Sequence, residues 1–236
     1  MLKKAGFLFN QGYKIKLSGD IPINAGISSS SALVVAWIRF LLEIQDQKKE
    51  INDVQIGKWA YESESSFFNQ PGGIMDQYTI AQKGLLYINT QTTRTERLNP
   101  NIGCLVIAES GLAKRTLGVL QKARSFSQSA IAAVLDKVPQ FEIHSANESE
   151  YEEYLHFVPE IYRDHWYAAI FNHLLTQKAR KMLISGSLDI EQLVNLMNSH
   201  QKILQQRIKN TPEIMQKQMQ AACNAGALGS KIIGSG

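Results

Sequence analysis

From Tyr13 to Leu17 polar and apolar residues alternate, Tyr-Lys-Ile-Lys-Leu, and the period of two predicts a half-exposed strand. The pattern then changes. Leu33-Val34-Val35-Ala36-Trp37-Ile38 opens a segment that is apolar nearly all round, with Arg39 and Glu43 coming late. It predicts a deeply buried helix over 29–44. Lys48-Lys49-Glu50 breaks it. Ile56, Trp59, Ala60, Ser63 and Phe67 then recur at the spacing of one helical face, on a second helix starting near Asn52 or Asp53. Pro71-Gly72-Gly73 ends that helix in a loop. Residues 74–82 fit a short helix. Residues 85–89 and 104–108 read as strands, the latter too apolar for an exposed edge.

The remainder is mostly helical, with helices expected over 113–138, 151–157, 165–184, 189–208 and 213–224. Asn210-Thr211-Pro212-Glu213 reads as a helix start, with Thr211 as N-cap and Pro212 at the first helical position. Ala225-Gly226-Ala227-Leu228-Gly229 stops the last helix and leads to a short apolar strand over 231–233. There is no internal repeat. A strand-rich first part before a helix-rich second part predicts an α+β fold in two domains, 1–99 and 100–236.

Composition narrows the function classes. The 236 residues are 44% hydrophobic and 19% charged, which suits one or two packed domains. No apolar run approaches the ~20 residues of a membrane span, and the first residues lack the apolar stretch of a signal peptide. Cys104 and Cys223 have no metal-ligand spacing, so a reduced cytoplasmic protein is expected. The net charge of +4 comes without a Lys/Arg block or an interleaved aromatic ladder, so neither a nucleic-acid nor a membrane partner is expected. A mildly basic chain also suits phosphate substrates.

Three stretches carry candidate chemistry. The first is Pro22-Ile23-Asn24-Ala25-Gly26-Ile27-Ser28-Ser29-Ser30-Ser31-Ala32. Gly26 lets the backbone approach a ligand. The serines bring hydroxyls and unpaired N–H groups to a helix start, where the macrodipole also favours an anion. A serine N-cap before a buried helix accounts for the same residues. The second runs from Glu64 to Gln77. A phosphoryl transferase needs a polyphosphate cradle, oxygen ligands for Mg²⁺ and a carboxylate near the attacking hydroxyl. Ser30 or Ser29 with Glu64 fits the one or two protein oxygens that Mg²⁺ takes. Asp76 fits the carboxylate, and Gly72 and Gly73 allow close backbone approach to a small substrate. The plainer readings make Glu64 one of two glutamates on a solvated helix face, and Asp76 a helix N-cap. The third is Gly226-Ala227-Leu228-Gly229-Ser230-Lys231-Ile232-Ile233-Gly234-Ser235-Gly236, a backbone loop for close packing or an ordinary helix stop and tail.

Together these stretches resemble the GHMP kinase superfamily. The first is similar to its Pro-x-x-x-Gly-Leu-x-Ser-Ser-(Ser/Ala)-Ala signature, with Ile27 in place of Leu. The last is similar to Gly-Ala-x-Gly-x-(Lys/Arg)-x-x-Gly-x-Gly. Gly73-Ile74-Met75-Asp76-Gln77, Leu17 to Pro22, and Leu196 to His200 followed by Thr211-Pro212-Glu213 are like the galactokinase branch. The resemblance implies a ribosomal-protein-S5-like N-terminal domain and a ferredoxin-like, helix-rich C-terminal domain, with the active site between them. It implies an ATP-dependent kinase that phosphorylates a small-molecule sugar at the anomeric hydroxyl. Alternatives are a heptose or mevalonate-like alcohol as acceptor, or a non-catalytic relative. Pro22, Ala25, Gly26, Ser28, Ser29, Ser30 and Ser31 would wrap the ATP phosphates, with Ser30 and Glu64 on Mg²⁺. Asp76 would be the catalytic carboxylate, with Gly72 and Gly73 against the sugar. Gly229, Ser230, Gly234 and Gly236 would support the nucleotide loop. The galactokinase N-terminal signature, Gly-Arg-Val-Asn-Leu-Ile-Gly-Glu-His, is absent, and the third signature breaks off at Gly236, so a fragment of a longer kinase is expected. The stretch Glu109 to Gly118 lacks the tyrosine-containing sequence of galactokinases. Lys114 and Arg115 there could meet an anionic group or cap a solvated helix start.

Overall fold

The computed structural model describes residues 1–23, 25–46, 49–67, 72–112, 116–186 and 188–234, and it divides into two compact units, Met1–Arg97 and Leu98–Gly236. In the first unit three helices make the core: α1 (Ser29–Glu43), α2 (Asp53–Tyr61) and α3 (Met75–Gln82). Val35, Ile38, Ile56, Ala60 and Ala81 pack together at its centre. α2 starts where Asn52 accepts a hydrogen bond from the Gln55 N–H at 2.8 Å, the N-cap its sequence calls for. Gly57 lets α3 pass close by. A Cβ there would stand 3.1 Å from the Tyr78 Cα and 3.3 Å from the Gln77 carbonyl oxygen. Arg39 ties all three helices, donating to Asp53 Oδ1 at 2.6 Å and to the Ala81 carbonyl at 2.8 Å. Beyond α2 the chain widens into a π-helical turn, Glu62–Ser66, which carries Glu64. After α3, strands β1 (Leu85–Ile88) and β2 (Thr95–Leu98) form a two-stranded sheet. So short a connection makes them antiparallel, and Asn89 holds the turn by accepting from the Gln91 and Thr92 N–H groups.

The second unit is built from α4 (Thr116–Leu135), α5 (Glu148–Tyr154), α6 (Arg163–Ile184), α7 (Ile190–Ile203) and α8 (Glu213–Asn224). Its core gathers Ala130, Val134, Phe141, Ala146, Val158, Trp166 and Ile170. Trp166 is fully buried, and its indole N–H finds the Tyr151 carbonyl at 3.2 Å. Asn147 and Glu150 form a capping box that starts α5.

Several expectations need correction. The first unit is mainly helical rather than strand-rich. Residues 13–17 form no strand among the described residues, and Tyr13, Ile15 and Leu17 are exposed. Residues 104–108 form none either, and Val106 is 87% exposed, the reverse of a buried strand. Alternation and apolarity fit strands, but a strand exists only through the ladder that satisfies its N–H and C=O groups, and neither segment has a partner strand among the described residues. Residues 231–233 are likewise irregular. α1 is buried on one side only: Leu33 and Trp37 are exposed, whereas Ser31, Val35 and Ile38 are covered. β2 was not foreseen; its sequence Thr-Glu-Arg-Leu carries little apolar signal. At α8 the N-cap is Pro212, one residue later than expected. The Thr211 hydroxyl is committed instead to Gln201, whose Nε2 donates to it at 3.1 Å. Phe67 closes the predicted apolar face of the second helix in sequence but is 79% exposed.

Candidate functional site

The serine turn enters α1 through two left-handed residues, Gly26 (φ 79°) and Ser28 (φ 60°). Ser28 is the N-cap, but its side chain makes no capping bond; its carbonyl accepts the first helical bond, from the Ala32 N–H at 3.0 Å. The N–H groups of the first turn are therefore left without intrahelical partners at the positive end of the dipole. Pro22 and Ser30 are exposed, and Ala25, Gly26, Ser28 and Ser29 are half-buried. Ser31 is buried and points into the helix bundle.

There it meets Glu64. The Ser31 hydroxyl donates to Glu64 Oε2 at 2.6 Å, and Gln77 Nε2 donates to the same oxygen at 2.7 Å. Gln77 also donates to Ser31 Oγ at 3.2 Å, so three elements close one network. The solvated-face reading of Glu64 is thereby overturned. Ser31, not Ser30, is the serine bonded to it. Glu64 Oε1 accepts no hydrogen bond among the described residues. A serine hydroxyl and a carboxylate are hard oxygens of the kind Mg²⁺ takes, and one free carboxylate oxygen leaves room for such an ion.

Asp76 lies in the first turn of α3, one residue from the amide that holds Glu64. The N-cap of that helix is Ile74, so Asp76 is not spent on capping. It is half-buried and makes no hydrogen bond or ion pair among the described residues. Gly72 packs on Ser65, where a Cβ would stand 3.1 Å from the hydroxyl oxygen; Gly73 is exposed, with none of the described residues within 4 Å of the same position.

In the second unit the glycine-rich stretch lies on α7. A Cβ at Gly229 would stand 2.8 Å from Val194, 2.9 Å from Asn198 and 3.0 Å from Met197, so only glycine fits without a shift. The Ser230 N–H donates to Asn198 Oδ1 at 3.4 Å and the Ile232 N–H to Gln201 Oε1 at 2.9 Å. The simple tail reading is thus set aside for residues 229–232. Gly234 has φ 66°. Burial pulls the Lys231 ammonium below its ordinary range. Burial, with Lys231 adding repulsion, takes the His200 imidazole down to about 4. Gly236, Lys114 and Arg115 lie outside the described residues. No cluster of three or more His, Cys, Asp or Glu suited to a metal occurs among the described residues, and no helix there is long and apolar enough to cross a membrane.

Gln77 was not foreseen from the sequence. Residues 31, 64 and 77 stand on three separate elements, and no spacing rule links them. The only available signal was the neighbouring Asp76.

Comparison with known proteins bears on these residues. Residues 1–84 match the family described as GHMP kinases N terminal domain. The galactokinase of Streptococcus mutans is 28% identical over all of this chain and 61% of its own length. That of Pyrococcus furiosus is 24% identical over 97% of this chain and 64% of its own. A crystal structure of Lactococcus lactis galactokinase complexed with galactose superposes with a TM-score of 0.79 at 18% identity, covering 100% of this chain and 62% of that one. The chain therefore spans about three-fifths of the relatives it matches. It has the GHMP kinase fold, and the resemblance to the galactokinase-like branch is borne out in sequence and structure.

Proposed function

We propose that this chain, galactokinase-like in sequence and GHMP kinase in fold, carries the phosphoryl-transfer centre of an ATP-dependent sugar kinase. The observation that carries the reading is the juxtaposition in one unit of three things: an uncapped helix start, a carboxylate held with one oxygen free among the described residues, and a second carboxylate with no partner among them. The first-turn N–H groups of α1, with Gly26, Ser28, Ser29 and Ser30, receive the ATP phosphates. Glu64 and a serine hydroxyl of the same turn would hold Mg²⁺, which when bound neutralises charge on the β- and γ-phosphates. Ser30 is the exposed hydroxyl available for this, and Ser31 secures the carboxylate. Asp76 accepts the proton of the sugar hydroxyl as that oxygen bonds to the γ-phosphorus and the bond to the ADP oxygen breaks. Gly73, open on its side-chain face, fits close backbone contact with the sugar. The family resemblance assigns Gly229, Ser230 and Gly234 of the second unit, and Gly236 outside the described residues, to nucleotide binding, and the domains divide near residue 100. The two cysteines are free, in keeping with a reduced, cytoplasmic setting.

Incubating the chain with Mg²⁺, ATP and separate acceptors, and following the products by phosphorus NMR, tests this reading. Galactose is expected to give an anomeric phosphate. A phosphate ester only with a heptose or mevalonate would redirect the assignment within the superfamily, and ATP binding with no transfer to any acceptor would favour a non-catalytic relative.

A further inference from the structure

We propose that Gln77 is a positioning residue for Glu64: its amide, with the Ser31 hydroxyl, occupies one carboxylate oxygen so that the other is presented to a divalent cation. The inference rests on the phosphoryl-transfer reading above. A carboxylate oxygen 2.7 Å away accepts and cannot donate, so the amide must present its N–H₂ group to Glu64 Oε2. With Nε2 turned that way the second amide hydrogen reaches Ser31 Oγ, and the Ser31 proton is free to go to the same Oε2. Both donors on Glu64 thus converge on one atom, and Oε1 is left bare among the described residues. Gln77 is only 4% exposed and Ser31 3%, so water competes poorly for these bonds. Fixing the amide this way leaves Gln77 Oε1 buried without a partner among the described residues. That is a costly arrangement for a residue whose job is only to fill space, since an apolar side chain would fill it without the penalty. The network also spans the site. Ser31 belongs to α1, Glu64 to the turn after α2, and Gln77 follows Asp76 on α3, so the bonds that set the cation-facing oxygen also anchor the helical turn that carries Asp76.

The test uses the whole chain and Mn²⁺ as the probe, titrated by electron paramagnetic resonance in the presence of a non-hydrolysable ATP analogue. Gln77→Leu is expected to weaken Mn²⁺ about tenfold, as loss of a residue supporting a metal ligand does, while metal-free nucleotide affinity stays unchanged. Because Gln77 acts through Glu64, Gln77→Leu combined with Glu64→Gln should bind Mn²⁺ no more weakly than Glu64→Gln alone. Ser31→Ala removes the companion bond and should shift Mn²⁺ affinity in the same direction by less; it decides the matter if circular dichroism finds Gln77→Leu unfolded. Unchanged Mn²⁺ affinity in the single variants, or losses that add in the double variant, would overturn the proposal and leave the kinase reading standing. If the unmodified chain binds no Mn²⁺–nucleotide, the kinase reading itself fails, and this inference with it.

Discussion

Gly57→Ala pits two effects of opposite sign against each other at the crossing of α2 and α3. In a free helix the change is favourable, by about 1 kcal/mol of propensity, which includes the reduced entropy of the unfolded chain. Here the new methyl would stand 3.1 Å from the Tyr78 Cα and 3.3 Å from both the Gln77 carbonyl oxygen and the Tyr78 ring. Two of those three atoms are backbone of a packed helix, and Tyr78 is 2% exposed, so the neighbours have little room to move. Overpacking of this kind costs about 1–3 kcal/mol. The clash therefore outweighs the propensity gain, for a net loss of about 1 kcal/mol. In a unit of this size that lowers Tm by several degrees. Gly118, in the first turn of α4, supplies the control. Among the described residues a Cβ there meets nothing within 4 Å, so Gly118→Ala should stabilise by a few tenths to about 1 kcal/mol. Urea unfolding of both variants, followed by circular dichroism, checks the pair. A Gly57→Ala protein as stable as the Gly118→Ala protein would refute the close crossing of α2 and α3. Because α3 carries Asp76 and Gln77, the same variant should also lose phosphoryl transfer.

Three further outcomes follow from other parts of the structure. Asn147→Ala removes the capping box of α5 and should cost about 1 kcal/mol in urea unfolding; no change would contradict the cap geometry. His200 is held near 4 in the folded protein against about 6.5 unfolded, so the unfolded chain binds more protons between those values. Its contribution is complete above pH 6.5 and is lost as pH falls toward 4, with buried His165 and half-buried His173 adding the same sign. Urea midpoints should drop from pH 7 to pH 5, and less steeply in His200→Gln. Gly229→Ala forces a methyl into Val194, Asn198 and Met197, so it should lower the urea midpoint of the second unit, destabilising it by an amount typical of overpacking, about 1–3 kcal/mol.

Elements whose stability is local were legible in the sequence. The helix at 29–43 was foreseen to within a residue because a serine turn precedes a long apolar run, and α8 because a proline starts it. Partner-dependent elements were legible only in part. The strand expected over 85–89 forms as β1, but its partner β2 has a weak strand sequence, and the alternation at 13–17 and the apolar run at 104–108 carry the right residues without a ladder among the described residues. Within the site, Glu64 and Asp76 could be chosen from their chemistry and from family resemblance. Which oxygen of Glu64 is free, and that Ser31 rather than Ser30 reaches it, depend on how α1, α3 and the π-helical turn meet.

On the kinase reading proposed above, Asp76 serves the transfer step rather than the fold or the nucleotide. Transfer of labelled γ-phosphate from ATP to galactose, measured for the unmodified chain and for Asp76→Ala alongside calorimetric ATP affinity, tests it most directly. Labelled sugar phosphate from the unmodified chain, and its loss in Asp76→Ala at undiminished ATP affinity, is the predicted result. Equal transfer by both proteins, or loss of ATP binding together with transfer, would contradict it.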